Sequence, residues 1–321
     1  MSANHPTPNA PNARVLGAGA GGGSPQWNCN CTVCRRVRAG EAPRRTQTSL
    51  AVTADGQRWA VINASPDLRE QIAQTPPLQP QRPGRHSPID AVVLTGAEVD
   101  QVGGLLTMRE GEPFSLYASE NTHSTLDESS IFDVLDGDQV PRRQFPADEA
   151  VELVDAHDQP MDITVEAFAV PGKIPLYRET PGQTPEIGET TGDNVALDIQ
   201  LGSARLLFIP CCADITDWLK KRIDGADILL FDGTLFDDDE LIDAGLAEKT
   251  GRRMGHVSIS GDDGVLQQLD DVDVGPKVLI HLNNSNPVLL DDTAQRRQVE
   301  DAGWEVAFDG MELLTHTMIH Q

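Results

Sequence analysis

Three cysteines fall within six residues, Cys29-Asn30-Cys31-Thr32-Val33-Cys34. Thiolates at that spacing can wrap one soft or borderline cation, and Zn2+ completes its tetrahedron with a fourth ligand. Three thiolates leave such a site net negative, so a neutral His or Asn suits the fourth place, and Asn284 is expected to fill it. A closed site of this kind staples a loop and does no chemistry; three buried, reduced cysteines are the alternative reading. A second set of donors is scattered along the chain. Glu98 and Asp100 lie in Leu94-Thr-Gly-Ala-Glu-Val-Asp-Gln101, Asp232 follows the apolar run 227–231, His256 closes Arg252-Arg253-Met-Gly-His, and His281 ends the run 277–281. Loops at strand ends are where ligands and catalytic groups gather, and two imidazoles with carboxylates on one edge make a facial metal site. Taken singly, each is as readily a solvated acid or a satisfied structural His.

Two further signals carry less. Gly17-x-Gly19-x-x-Gly22 imitates a dinucleotide fingerprint, which needs a helix directly after it. Ser24-Pro25-Gln26-Trp27 is no helix start, so these glycines are expected to let a loop pass close to a site. Cys211-Cys212 follows the run 205–209 and reads first as a pair of small buried apolar side chains.

These groups meet only if the elements between them bring strand ends to one edge. Short strands are expected at 14–16, 90–94 and 114–118, with a hairpin of 49–53 and 58–62 around Ala54-Asp55-Gly56. A helix is expected at 66–72 with Ser65 as its N-cap, and another near 130–135. The second half repeats this grammar. An extended run at 161–170 precedes a hairpin of 194–200 and 205–209, a helix at 215–223, and strands at 227–231, 277–281 and 304–308. The segment 178–192, rich in Gly, Pro, Thr and Glu, reads as an exposed loop or lid. The doubled order predicts an α/β fold, an αββα sandwich of two mixed sheets with outer helices. It is expected to form a single domain over 13–321 after a disordered lead-in at 1–12.

The chain has 321 residues with 25 Lys and Arg against 50 Asp and Glu, a formal charge of −25. That charge repels phosphate backbones and anionic lipid, so neither nucleic acid nor membrane is expected as a partner. No stretch approaches the ~18 consecutive apolar residues of a membrane span. Only five of the 25 basic residues are Lys, the balance of a surface suited to a salt-rich cytosol. Five cysteines, an odd number in tight groups, make a poor disulfide framework and point to a reducing cytoplasm.

At these residues the chain resembles the metallo-β-lactamase superfamily and, more closely, the pyrroloquinoline quinone (PQQ) biosynthesis protein B family. The resemblance runs from about Val15 to Leu314. It is carried by Gly-Gly-Gly-Ser-Pro-Gln-Trp-Asn-Cys-Asn-Cys (21–31), Asn-Ala-Ser-Pro-Asp-Leu-Arg (63–69), Val-Pro-Gly-Lys (170–173), Thr-Gly-Arg-Arg-Met-Gly-His (250–256) and His-Leu-Asn-Asn-Ser-Asn-Pro-Val-Leu (281–289). It implies a structural zinc at the Cys cluster and iron-dependent, O2-using hydroxylation of the tyrosine ring of a peptide-derived, cross-linked Glu–Tyr intermediate. Asp100 and His281, with His256 or Glu98, are then expected to hold Fe2+. Asp232 would orient a ligand or shuttle a proton, and Arg252 and Arg253 would pair with substrate carboxylates. The partners expected are the PQQ precursor, as peptide or amino-acid intermediate, or PQQ itself, and a homodimer is allowed. The sequence departs from the hydrolytic superfamily's His-x-His-x-Asp-His loop, with Gly96, Glu98, Asp100 and Gln101 at those positions, and Asn63 stands where hydrolases tend to carry Asp. A dinuclear zinc hydrolase is therefore not expected. A carrier of PQQ or its precursor, and a metal-dependent phosphodiesterase, are the alternatives.

Overall fold

The computed structural model describes residues 11–146, 149–180 and 187–314. The expected lead-in lies outside the described residues through position 10, and Asn12 already belongs to the first strand. Strands β1 (Asn12–Gly17), β2 (Ser49–Thr53), β3 (Trp59–Ile62), β4 (Ile89–Val93), β5 (Ser115–Ala118) and β6 (Arg142–Gln144) make one sheet in that order. Strands β7 (Ala150–Val154), β8 (Pro160–Ala169), β9 (Val195–Leu201), β10 (Ala204–Ile209), β11 (Ile228–Asp232), β12 (Lys277–Ile280) and β13 (Trp304–Val306) make the other, running from β13 back to β7. Both sheets are mixed, antiparallel at their β1–β3 and β7–β10 parts and parallel over β3–β6 and β10–β13. Helices α1 (Thr32–Arg38), α2 (Leu68–Gln74), α3 (Val99–Val102), α4 (Glu120–Asp127), α5 (Asp217–Ile223), α6 (Glu240–Asp243), α7 (Gly251–Met254), α8 (Val265–Gln268) and α9 (Ala294–Asp301) lie between the strands in sequence.

The apolar side chains fall into three layers. Val52, Ile62 and Val93 of one sheet meet Ile163, Leu197, Phe208 and Leu230 of the other. Leu68 and Leu126 cover the outer face of the first sheet over Trp59 and Leu116. Leu219, Val265 and Val299 cover that of the second over Leu207, Leu229 and Leu279. This is the αββα sandwich expected from the doubled element order. Buried on both faces, β11 reads as an unbroken apolar run before its final Asp.

Local differences have local causes. The helix near 130–135 is a 3-10 turn at Ser130–Val134, and the longer helix is α4, whose polar sequence Glu-Asn-Thr-His-Ser-Thr-Leu-Asp hides it. Helix α4 starts because Ser119 Oγ accepts from Thr122 N at 3.2 Å. The Ser65 hydroxyl lies two residues early for a cap: it accepts from Asp67 N at 3.3 Å and donates to Gln71 Oε1 at 3.2 Å, and α2 begins at Leu68 with Asp67 in the N-cap position.

Parallel pairing decides where the site falls. Ile209 sits beside Phe231, and Asp232 beside Ile280, so the carboxyl ends of β10, β11 and β12 emerge on one edge. Val195 N donates to Thr95 O at 2.9 Å there, tying the loop after β4 to the second sheet. Among the described residues no helix is long and apolar enough to cross a membrane.

Candidate metal centres

The Cys cluster is built around the start of α1. Cys31 is its N-cap, with Sγ accepting from Cys34 N at 3.4 Å, and Cys31 N donates to Cys29 Sγ at 3.5 Å. All three sulfurs lie within 4.8 Å of one another. Arg38 donates to the carbonyls of Gln26 at 2.5 Å and Cys29 at 2.6 Å, which fixes the loop's curl. Asn284 approaches from the segment after β12. Its main-chain oxygen accepts from Cys31 Sγ at 3.5 Å and its Nδ2 lies 3.3 Å from Cys34 Sγ. Burial opposes ionisation of Cys29, yet hydrogen bonds from the Cys31 backbone and its thiol neighbours hold it below the usual thiol range, while burial pushes Cys31 up to about 11. Three converging sulfurs with a neutral amide beside them fit a bound zinc.

The second centre lies at the shared strand edge. Cys211 after β10, His256 after α7 and His281 after β12 place one donor atom each within 4.8 Å of the others. Asp100, on α3, adjoins the group through His281: its Oδ2 lies 3.1 Å from His281 Nε2, which is 4.0 Å from Cys211 Sγ. His281 Nδ1 lies 2.8 Å from Thr234 Oγ1, and the two imidazoles stack at 5.2 Å. His281 has φ +60°, a conformation costly for a non-glycine residue and one that persists where its surroundings hold it. Leu282, next in sequence, is that restraint: it donates to Ala18 O at 2.9 Å and accepts from Ala20 N at 2.8 Å. The glycine run continues from Ala20 into the cavity wall, and a side chain at Gly21 would stand 3.7 Å from the Asp100 carboxyl carbon. Of the three glycines singled out in the sequence, Gly17 is the one tightly packed, against Gln47 O, and none of the three faces Asp100.

Asp232 is fully buried behind this cluster. It accepts from His256 Nδ1 at 2.7 Å, Cys212 N at 2.8 Å and Thr234 Oγ1 at 2.7 Å, so it fixes the His256 tautomer and leaves Nε2 with a free lone pair. Burial alone would lower the pKa of His281, but Cys211 and Asp100 outweigh it and hold the imidazole well above its usual value. Asp100, which burial alone would raise, is held below the carboxylate range by His281. One thiol, two imidazoles and a carboxylate on a cavity of about 460 Å3 form a donor set that fits Fe2+ as well as Zn2+.

Other expected residues sit elsewhere. Glu98 reaches the cavity, but its Oε1 accepts from Lys173 Nζ at 3.0 Å and Leu176 N at 2.9 Å, so it fastens a neighbouring loop rather than facing the imidazoles. Arg252 and Arg253 diverge because successive residues of α7 point about 100° apart. Arg253 lines the cavity, whereas Arg252 lies outside its lining and pairs with Asp263 on the surface. Gln101 closes the position that hydrolases give to His: its Oε1 accepts from Glu98 N at 3.0 Å, and a side chain at Gly96 would come within 2.6 Å of it. Its Nε2 donates to Thr95 Oγ1 at 3.2 Å, and Asn63 Nδ2 to the same hydroxyl at 2.8 Å, an amide network in place of metal ligands. Of the adjacent cysteines, Cys212 is core, and Cys211, two residues past the end of β10, is a donor of the cluster.

The layered fold with two thiol-bearing centres defines a class. Residues 58–282 match the beta-lactamase superfamily domain, and the chain belongs to that superfamily. Within it, the chain is a member of the coenzyme PQQ synthesis protein B family. It is 50% identical over 303 residues to that protein of Gluconacetobacter diazotrophicus, covering 94% of this chain and 98% of the relative. The zinc-bound PqqB of Methylobacterium extorquens superposes with a TM-score of 0.90 at 46% identity, covering 95% of this chain and all of that one. A diphosphatase of the PhnP family, at 22% identity and a TM-score of 0.63 over 95% and 98% of the two chains, shares the fold.

Proposed function

We propose that this chain acts in the synthesis of coenzyme PQQ as an iron-dependent oxygenase that hydroxylates the tyrosine ring of a peptide-derived Glu–Tyr intermediate. The 50% identity to a coenzyme PQQ synthesis protein B supports the pathway. The reaction rests on one observation above all: Cys211, His256 and His281 converge on a cavity that Asp100 also lines beside His281, and whose hydrolase-type ligand positions are taken by Gly96 and Gln101. Bound there, iron would activate O2 toward the aromatic ring. The chain's own groups hold and orient. Asp100 and His281 present donors from opposite sheets, and Asp232 sets the proton on His256 Nδ1 so that Nε2 faces a ligand as a lone pair. Lys173, through Glu98, holds the 173–176 segment against the site and narrows access for water. The zinc of the Cys cluster is a separate, structural ion in this reading.

The test is anaerobic loading with Fe2+ followed by O2, ascorbate as two-electron donor and the tyrosine-derived intermediate, so that one oxygen atom enters the ring and the other leaves as water. Gain of one oxygen atom on the ring, read by mass spectrometry, is expected. Iron-loaded protein that forms no such product ends the oxygenase reading, and a stoichiometric PQQ complex without turnover would make the chain a carrier instead.

A further inference from the structure

Two stretches of this chain carry opposite charge. Residues 27–45 hold five arginines and a single acid, Glu41, in a chain with a formal charge of −25. Residues 237–248 hold six acids and no base. On α1, Arg35 and Arg38 stand three apart and so share a face. Both clasp the loop before the helix through neutral carbonyls: Arg35 Nη1 donates to Asn30 O at 2.9 Å and Arg38 Nη1 to Cys29 O at 2.6 Å. Trp27 projects from that loop and is 86% exposed. Arg45 exchanges backbone hydrogen bonds with Ser24 at 2.8 Å, which brings the exposed Arg44 to the same loop. At α6, Asp239 and Asp243 stand four apart beside Ile242, which is 41% exposed. Among the described residues, none of Arg35, Arg38, Arg44, Asp239 and Asp243 forms an ion pair.

The two patches are neighbours. Asn284 Nδ2 lies 3.3 Å from Cys34 Sγ of α1, and the next residue, Ser285, donates from Oγ to Glu240 Oε1 of α6 at 2.5 Å. The basic and acidic elements thus stand on either side of residues 284–285. A lone exposed apolar side chain needs no explanation. Two adjacent patches of opposite sign, each with such a side chain, are self-complementary: a half-turn about an axis between them lays each patch on its counterpart. Elsewhere two copies at −25 repel, so attraction is confined to surfaces where opposite signs meet. We infer that a second copy of this chain docks here in a closed two-fold pair. Trp27, Arg35 and Arg44 of one copy meet Asp239, Ile242 and Asp243 of the other, and the reverse. The pairing surface is independent of the reaction at the cavity.

Sedimentation equilibrium of the full-length, zinc-loaded protein is expected to show twice the chain mass and no larger species. Arg35→Glu with Arg44→Glu reverses one patch, and Asp239→Lys with Asp243→Lys reverses the other. Each double variant should weaken association about a hundredfold or more, since like charges then face each other at both contacts. Mixed in equal amounts, the two should pair again, because every contact across the axis is then between opposite charges. Trp27→Ala should weaken the parent pair about tenfold. Zinc content and melting temperature report folding. Arg44→Glu and Asp243→Lys alone, whose parent side chains form no hydrogen bond or ion pair among the described residues, replace a double variant that misfolds. A parent that stays monomeric, one that grows beyond two copies, variants that associate like the parent, or a mixture that stays unpaired overturns the inference.

Discussion

At the scale of single residues, the strand-edge centre is a set of protons waiting to be displaced. His281 titrates above its usual value, so its charge adds stability that is complete below ~6.5 and fades as pH rises through the higher native value. Asp100 titrates low, so its contribution is present above ~3.9 and is lost as pH falls through the native value. The metal-free pair therefore supports the fold across the neutral range. Burial also raises the Cys211 thiol, against the pull of His281. A cation must expel these protons, so uptake of Co2+ by zinc-loaded protein is predicted to release protons and to tighten as pH rises. A pH indicator in a weakly buffered titration reads this directly; pH-independent uptake would place the ion elsewhere. Cys211→Ser should abolish the thiolate-to-cobalt absorption band. Asp232→Asn, which unsettles the His256 tautomer, should weaken binding ten- to a hundredfold, a range typical of groups behind the ligands; undiminished affinity would show that the buried carboxylate serves only the backbone.

At the scale of elements, the segment after β12 serves both centres. His281 and Asn283 line the cavity, Asn284 meets the cysteines, and Asn286 Nδ2 donates to Gly233 O at 2.9 Å. The helix start at α1 depends on the same sulfur that caps it. Cys31→Ala, which removes that sulfur, is accordingly expected to cost one equivalent of zinc and to lower the melting temperature by about 5 °C or more, measured by metal analysis and calorimetry. At the start of α6, Glu240 is driven by burial to about 7, with Ser285 Oγ at 2.5 Å from it. Its native pKa exceeds its unfolded one, so the native state binds the extra proton and stability falls as pH climbs from ~4.5 to about 7. The loss is on the order of 3 kcal/mol. Urea midpoints across that interval should decline in the parent and flatten in Glu240→Gln; parallel curves would count against it.

At the scale of the whole molecule, a formal charge of −25 makes self-repulsion a standing cost. Added salt screens repulsion between exposed charges. Raising KCl is predicted to raise the unfolding midpoint, and the rise should exceed that seen with an uncharged osmolyte of equal osmolality. A midpoint indifferent to KCl would show that the acidic surface is already balanced by its Arg-rich ion pairs, of which Arg205–Asp198 is hydrogen-bonded through both Nε, at 3.1 Å, and Nη2, at 2.8 Å.

Much of this architecture was legible in the chain itself. Strands such as β11 and β12 announce themselves as apolar runs because they are buried on both faces, and the Cys29–Cys31–Cys34 spacing lies within one loop, where distance in sequence is distance in space. Helix α4 was hidden because its stability comes from a cap and from Thr122, Thr125 and Leu126 packing inward, which polar patterning does not reveal. What only tertiary structure decided is which of the scattered donors meet. Asp100 and His281 are 181 positions apart and come together through the pairing of two sheets. Cys211 joins them while Cys212 turns into the core, and Arg253 faces the cavity while Arg252 faces outward. Adjacent residues point apart in strand or helix, so the side each one takes is set by long-range packing, which composition and spacing do not encode.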